Sequence, residues 1–245
     1  MSAITILDMY PTHLNVNGDG GNVLALTRRL QWAGIASRVE RAEVGATWWD
    51  VEPDILHIGG GTIAAQKAVL ADLTGARTRL HAWAADGVSI LGVAGGFHLL
   101  LDEVLFPGES NSVAGVGLLG GRSLPAEERI SEYMVARAGS DLVHGYQNSG
   151  QLVDLAADST PWARVLAGVG NGAPEGTEGA VRGTVLGTSL NGPLLPRNPL
   201  VADAILAHAA ARRGLEYVTG PQHAHADAVA SQASAVIRER LGVKD

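Results

Sequence analysis

The stretch Ile90-Leu91-Gly92-Val93-Ala94-Gly95-Gly96-Phe97-His98 decides the fold. An apolar segment runs directly into small residues and then into a second apolar segment, with no polar connector. That pattern reads as a buried strand, a sharp turn and a helix. In hydrolytic α/β scaffolds such an elbow presents one side chain at the C-terminal end of the strand. The N–H groups opening the helix lie beside it and can stabilise an oxyanion. The presented position here is Ala94. The same letters also describe a plain glycine turn with no site, so the elbow alone speaks for the fold and not for chemistry.

Outward from the elbow, strand and helix patterns alternate. Ala3–Leu7 reads as a strand, Gly18–Gly21 as a glycine turn, and Asn22–Trp32 as a helix with a stripe of Val23, Leu24, Leu26, Leu30 and Trp32. Ile35–Val39 reads as a second strand, and Asp54–Ile58 as a third, feeding Gly59-Gly60-Gly61. Ile63–Leu70 and Ala76–Asp86 are helical, the latter stopped by Gly87, and Val88–Val93 is the elbow's strand. This spacing predicts an α/β fold with a mainly parallel sheet flanked by helices. Downstream, Val113–Leu119, Ser131–Ala136, Val165–Val169 and Ala180–Ser189 read as short strands, mixed or antiparallel additions to the same sheet. Val201–Arg212 and Ala224–Leu241 read as helices, and neither an internal repeat nor a linker is visible. The expected organisation is one domain over residues 1–213, with 214–245 a helical extension packed on it.

Composition narrows the function classes. The chain has 245 residues, 46% hydrophobic and 18% charged, which is ordinary for a folded domain. A net charge of −7 without a basic run speaks against a nucleic-acid partner. Charges or glycines interrupt every apolar stretch before it could span a bilayer, and MSAITILDMY reads as a strand, not a signal peptide. A cytoplasmic location is expected. There are no cysteines, so disulfides, thiolate metal sites and a cysteine nucleophile are excluded.

Four segments, in order, carry a resemblance. Tyr10-Pro11 through Leu14-Asn15 to Gly18-Asp19-Gly20-Gly21-Asn22 is similar to a YPxxLNxYGDRGN pattern, and Asp54-Ile55 with Gly59-Gly60-Gly61 and Gln66 to DIxxxGGGxxxxQ. The elbow is similar to CGGYQ, and Gly187 to Pro199 (GTSLNGPLLPRNP) to GTYLHGPLLPKNP. On these residues the chain resembles the class I glutamine amidotransferases of the cobyric-acid-synthase-like branch. Within that branch it looks most like GatD-type glutaminase subunits, which pair with the Mur-ligase-like MurT to amidate lipid II. The resemblance runs from the start to about Val201 and leaves the tail after Gly214 uncovered.

The resemblance implies a cysteine nucleophile at the elbow and a histidine base from the GTYLHGP segment. The thiolate attacks the side-chain amide of glutamine, ammonia leaves for the partner, and water resolves the thioester. Carried over residue by residue, the nucleophile position holds Ala94 and the base position Asn191. A methyl group cannot attack a carbonyl, and an amide has no basic nitrogen. Phe97-His98 stands where Tyr-Gln is expected. Gly145-Tyr146-Gln147-Asn148-Ser149-Gly150 stands for GFENHxG, with Ser149 in the place of its histidine. The expectation is a glutaminase-dead subunit serving a Mur-ligase-type, ATP-using partner in a heterodimer.

An engineered inactive form of an active subunit would explain Ala94 but not Asn191 or Ser149. Chemistry rebuilt on another nucleophile would have to draw on Ser189, Ser149, His98 or His144. By resemblance, Gly60 or Gly61 and Gly95 would supply oxyanion N–H groups. With Gly96, His98, Asn148 and Ser149 they would line a pocket able to hold glutamine or another carboxylate without turnover, so a glutamine sensor is a third reading. No metal or cofactor is implied. His223 and His225 beside Asp227 read as a solvated helix start, Arg28-Arg29 as an exposed helix edge, and Trp48-Trp49 as core or a partner patch. The Gly18–Gly21 turn lacks the Lys-Ser/Thr of a phosphate loop.

Overall fold

The computed structural model describes residues 3–48, 50–172 and 176–244. The chain begins with β1 (Ile4–Met9), α1 (Gly20–Trp32), β2 (Ser37–Ala42) and β3 (Ile55–Ile58). It continues through α2 (Ile63–Gly75), α3 (Arg77–Ala85), β4 (Ser89–Val93) and α4 (Gly95–Leu100). Short strands β5 (Glu103–Val104) and β6 (Val113–Ala114) precede the long pair β7 (Gly121–Ala138) and β8 (Asp141–Leu155). Then come β9 (Ala163–Ala167), β10 (Thr177–Glu178), β11 (Ala180–Arg182) and β12 (Val185–Thr188). Three helices close the chain: α5 (Leu194–Arg197), α6 (Pro199–Arg212) and α7 (Pro221–Leu241).

The first sheet has the order β11-β12-β4-β3-β1-β2, parallel throughout except for the antiparallel edge β11. Its inner strands β1, β3 and β4 are buried on both faces, which is why they read as continuous apolar runs. Consecutive residues part to opposite faces, as the pleat requires. Leu7, Leu56 and Ile90 join one apolar core, while Ile6, Ile55 and Leu91 join the other.

The downstream strands are not additions to that sheet. They build a second one, β10-β9-β7-β5-β6, with β8 paired along β7. Only the hairpin β11–β12 returns to the first sheet. Val113–Leu119 is strand only over Val113–Ala114, because from Gly115 to Leu119 the backbone folds back onto α4. β8, absent from the sequence reading apart from its Gly145–Gly150 motif, contains two glycines and several polar residues that dilute the alternation.

The C-terminal helix starts at Pro221 and not at Ala224, and it ends on Gly242 in the left-handed conformation (φ +68°). Two expectations at its contact with α1 are corrected. Arg29 is 4% exposed. It forks onto Asp203 of α6 at 2.7 and 2.6 Å and reaches Asp227 of α7 at 2.7 Å. His223 is likewise buried: its Nδ1 accepts from Gly220 N–H (3.0 Å) and its Nε2–H donates to the Arg29 carbonyl (3.0 Å). One charged and one aromatic residue therefore fasten α7 to α1. Among the described residues no group of three or more His, Cys, Asp or Glu is placed to hold a metal ion. Trp48 is core, stacked at a tilt on Trp83 with ring centroids 5.9 Å apart. Trp49 lies outside the described residues. No helix among the described residues is long and apolar enough to cross a membrane.

Candidate functional site

The elbow is built as the sequence implies. Ala94 sits between β4 and α4 with φ 49° and ψ −112°, a conformation that costs a residue with a β-carbon of order 1–3 kcal/mol. Its surroundings hold it there. The Ala94 N–H donates to the Thr188 carbonyl of β12 (2.8 Å), and its carbonyl accepts from His98 N–H (3.1 Å). A β-carbon at Gly96 would collide with the Ile58 carbonyl, so glycine lets the opening turn of α4 lie against the end of β3. The strain puts the Ala94 side chain at the C-terminal edge of a parallel sheet, where open α/β folds bind ligands. That side chain is a methyl group.

Across from it stands the loop after β3. A β-carbon at Gly60 would lie 3.0 Å from the Ala94 β-carbon and 3.5 Å from both Asn17 Nδ2 and Asp19 Oδ2. One small volume is thus bounded by Ala94, Gly60, Asn17 and Asp19. Gly60 is held by its carbonyl, which accepts from Val16 N–H at 3.1 Å, and Gly61 by its carbonyl, which accepts from Gln66 Nε2 at 3.1 Å. Gly95 packs against that same Gln66 side chain. The wall continues outward: Asn17 Oδ1 accepts from Asn148 Nδ2 (3.3 Å), and Asn148 Oδ1 accepts two N–H groups of Arg129 (3.0 and 2.8 Å).

Asp19 was not singled out by the sequence reading as a site residue, although the motif quoted there contains it. It is fully buried; no group among the described residues meets either carboxylate oxygen in good hydrogen-bond geometry, and the backbone N–H groups of Gly60 and Asn17 are near enough to favour its charged form. Burial pushes its pKa above the ordinary carboxylate range, against the pull of the nearby His57. His57 itself bridges Asp8 (2.9 Å) and Asn22 (3.3 Å). Asn22 in turn accepts from Leu195 N–H (2.8 Å), joining the glycine turn to the segment after Asn191.

Asn191 follows β12 and is 1% exposed. It is locked by a two-way backbone bridge to Tyr146 of β8 (3.0 and 3.1 Å), and its side-chain amide donates to the Ser189 carbonyl (3.4 Å). A second residue missed in the sequence sets this segment. Glu178 is buried, and its Oε1 accepts from Thr188 Oγ1–H (2.5 Å) and Ser189 N–H (2.9 Å). Burial lifts its pKa to about 7.

The alternative nucleophiles and bases are not assembled. Ser149 Oγ donates to the Gln151 carbonyl (2.8 Å) and accepts from Gln151 N–H (2.9 Å). His98 is buried and donates Nδ1–H to Gln151 Oε1 (3.1 Å), because the amide nitrogen of Gln151 is committed to Ser123 Oγ (2.9 Å). Burial holds the His98 imidazole neutral, with its pKa near 4. Among the described residues neither Ser149 nor Ser189 hydrogen-bonds to a histidine, and His144 lines a different cavity. The arrangement has backbone, amides and a buried acid around the elbow. Among the described residues around it, no serine is hydrogen-bonded to a histidine.

Comparison with known proteins agrees with this architecture. Residues 5–199 match the CobB/CobQ-like glutamine amidotransferase domain. Two curated relatives are similar over most of the chain. One is subunit GatD of the glutamine-hydrolyzing lipid II isoglutaminyl synthase of Staphylococcus aureus (strain N315), 29% identical over 89% of this chain and 88% of that protein. The other is the GatD subunit of Streptococcus pneumoniae (strain ATCC BAA-255 / R6), 25% identical over 81% of this chain and 77% of that protein. A crystal structure of a glutamine amidotransferase superposes with a TM-score of 0.56 at 16% identity, over 83% of this chain and 98% of that one. The glutaminase domain of Trypanosoma brucei CTPS, solved with bound acivicin, gives 0.55 at 14% identity over 88% and 96%. At these identities the two structures speak for the fold alone. Matched from β1 to the start of α6, the chain belongs to the CobB/CobQ-like glutamine amidotransferase domain family.

Proposed function

We infer that this chain is a GatD-like subunit that does not hydrolyse glutamine and acts as a structural or regulatory partner of a Mur-ligase-type, ATP-dependent ligase. The observation that carries the reading is double. A strained elbow presents a methyl group at Ala94, and the position expected to hold its base is an amide, Asn191. Losing the nucleophile closes the covalent route, and losing the base as well removes the group that would activate a replacement. The scaffold around them, from Gly96 to the Asn22–Leu195 tie, is kept intact.

In this reading residues 1–213 form the amidotransferase-like unit that docks on the ligase, and 214–245 are a helical extension fastened to it through Arg29. Nitrogen for the ligase then comes from free ammonia or from another glutaminase. The test is to co-express the chain with a Mur-ligase-type protein and co-purify the two. Amidation by the complex is then measured with glutamine or with ammonium as nitrogen source. A stable complex that uses ammonium and ignores glutamine supports the reading; a complex that uses glutamine overturns its inactive half. Titrating glutamine into the isolated chain shows whether the pocket holds it without turnover.

A further inference from the structure

Away from the elbow, a cavity of about 560 Å³ lies between the end of the β7–β8 hairpin, the start of α6 and one side of α7. Its body is apolar, walled by Val143, Trp162, Leu186, Val201 and Ile205. Its other end is polar and carries three features that fit together.

The first is an uncapped helix start. Asn198 precedes α6, where a side-chain oxygen would ordinarily accept from the first-turn N–H groups. Its Oδ1 instead accepts from His144 N–H (2.8 Å), and its Nδ2 donates to the His144 and Leu194 carbonyls (2.8 Å each). Only its main-chain carbonyl serves the helix, accepting from Val201 and Ala202 N–H, so the Leu200 amide lacks an intrahelical partner. The second feature is His144, a buried residue lining the cavity, whose Nε2 has no partner among the described residues. Burial, and secondarily the charge of Arg238, lower the pKa of this imidazole, and Nε2 donates in the tautomer that places the proton on it. The third is positive charge. Arg197 and Arg238 both line the cavity. Asp227 there is met by Arg29 at 2.7 Å, and Arg197 donates its Nε–H to the Gly192 carbonyl at 2.8 Å. A positive helix end and a buried imidazole meet at the polar end of an apolar chamber that two arginines also line.

We propose that this cavity binds a small amphipathic carboxylate, with its apolar chain against Trp162 and Leu186 and its anionic head at the α6 N-terminus beside His144. The inference does not depend on whether the elbow is silent, because no elbow residue lines the cavity.

Octanoate is the probe, titrated into the full chain by calorimetry and by amide-resolved NMR, with 1-octanol as its neutral counterpart. Octanoate should bind one to one and shift the Leu200 and Val201 amides, with 1-octanol weaker by at least about tenfold. Ala204 and Ser231 line the cavity from exposed positions, so Ala204→Trp and Ser231→Trp each narrow it without entering the core. Either variant, shown folded by its circular dichroism, should lose at least about tenfold in octanoate affinity. His144→Phe should weaken octanoate and leave 1-octanol unchanged. No octanoate binding, equal affinity for 1-octanol, or unchanged binding in both tryptophan variants would each overturn the proposal.

Discussion

Gly60 faces Ala94 so closely that a β-carbon on the first would lie 3.0 Å from the β-carbon of the second. The pair closes the C-terminal end of the parallel sheet, where the resemblance would place the family's nucleophile and oxyanion loop. In the proposed reading the backbone of that meeting is kept and its reactive side chain is not. If the geometry alone is retained, chemistry should be recoverable only by restoring both lost groups. Ala94→Cys should remain unmodified by the glutamine analogue 6-diazo-5-oxo-norleucine, whereas Ala94→Cys with Asn191→His should form a covalent adduct visible by intact mass. Labelling of the single variant at the same rate would show that the base position does not matter.

Ala94 itself stores backbone strain. Replacing alanine by glycine in regular structure costs about 0.5–1 kcal/mol. Here the φ of 49° reverses the sign, and Ala94→Gly should stabilise the fold by about 1 kcal/mol in urea unfolding. Gly96→Ala, which meets the Ile58 carbonyl, should destabilise by at least about 3 kcal/mol or prevent folding. A destabilising Ala94→Gly would mean that the elbow is relaxed.

Glu178 makes stability depend on pH. Its folded-state pKa of about 7 lies above the value of 4.5 taken for an unperturbed glutamate, so the folded chain holds a proton that the unfolded chain has released. Its contribution is favourable at low pH and is lost as pH rises from about 4.5 through about 7. Glu178→Gln keeps an acceptor for Thr188 and Ser189 but cannot ionise. It should be more stable than the parent by about 1–3 kcal/mol at pH 8, with the gap closing toward pH 4. A gap independent of pH would contradict the assignment.

Arg29 holds three helices together. With its side chain 5% exposed and carboxylates from α6 and α7 on it, Arg29→Ala should cost about 3–5 kcal/mol. The loss should appear first as faster amide exchange in residues 221–241. Unchanged protection there would mean that α7 is held by other contacts.

The contrast between Ala94 and Arg29 shows what the sequence could disclose. The elbow was legible because its signal is local: four apolar or small residues, a turn and a helix, all within nine positions. So was the parallel sheet, whose doubly buried strands leave continuous apolar runs. Arg29 looked like a solvated helix edge because its partners, Asp203 and Asp227, lie 174 and 198 residues away. His223 misled for the same reason, its acceptor being the Arg29 carbonyl. The second sheet was misplaced because strands as rich in polar residues as β7 and β8 carry no label saying which sheet they join. Around the candidate site, motifs alone point to Ala94 and Asn191 as the positions where the resemblance expects a nucleophile and a base. Asp19 and Glu178 were passed over because burial, not residue type, is what sets a carboxylate apart.

The proposed silence of the elbow is tested most directly by incubating the purified chain, alone and together with the ligase proposed as its partner, with glutamine and measuring released ammonia. Neither sample should release ammonia above the rate of a control without protein. Turnover of glutamine by either sample, at rates of about 1 per second or more, would contradict the central claim.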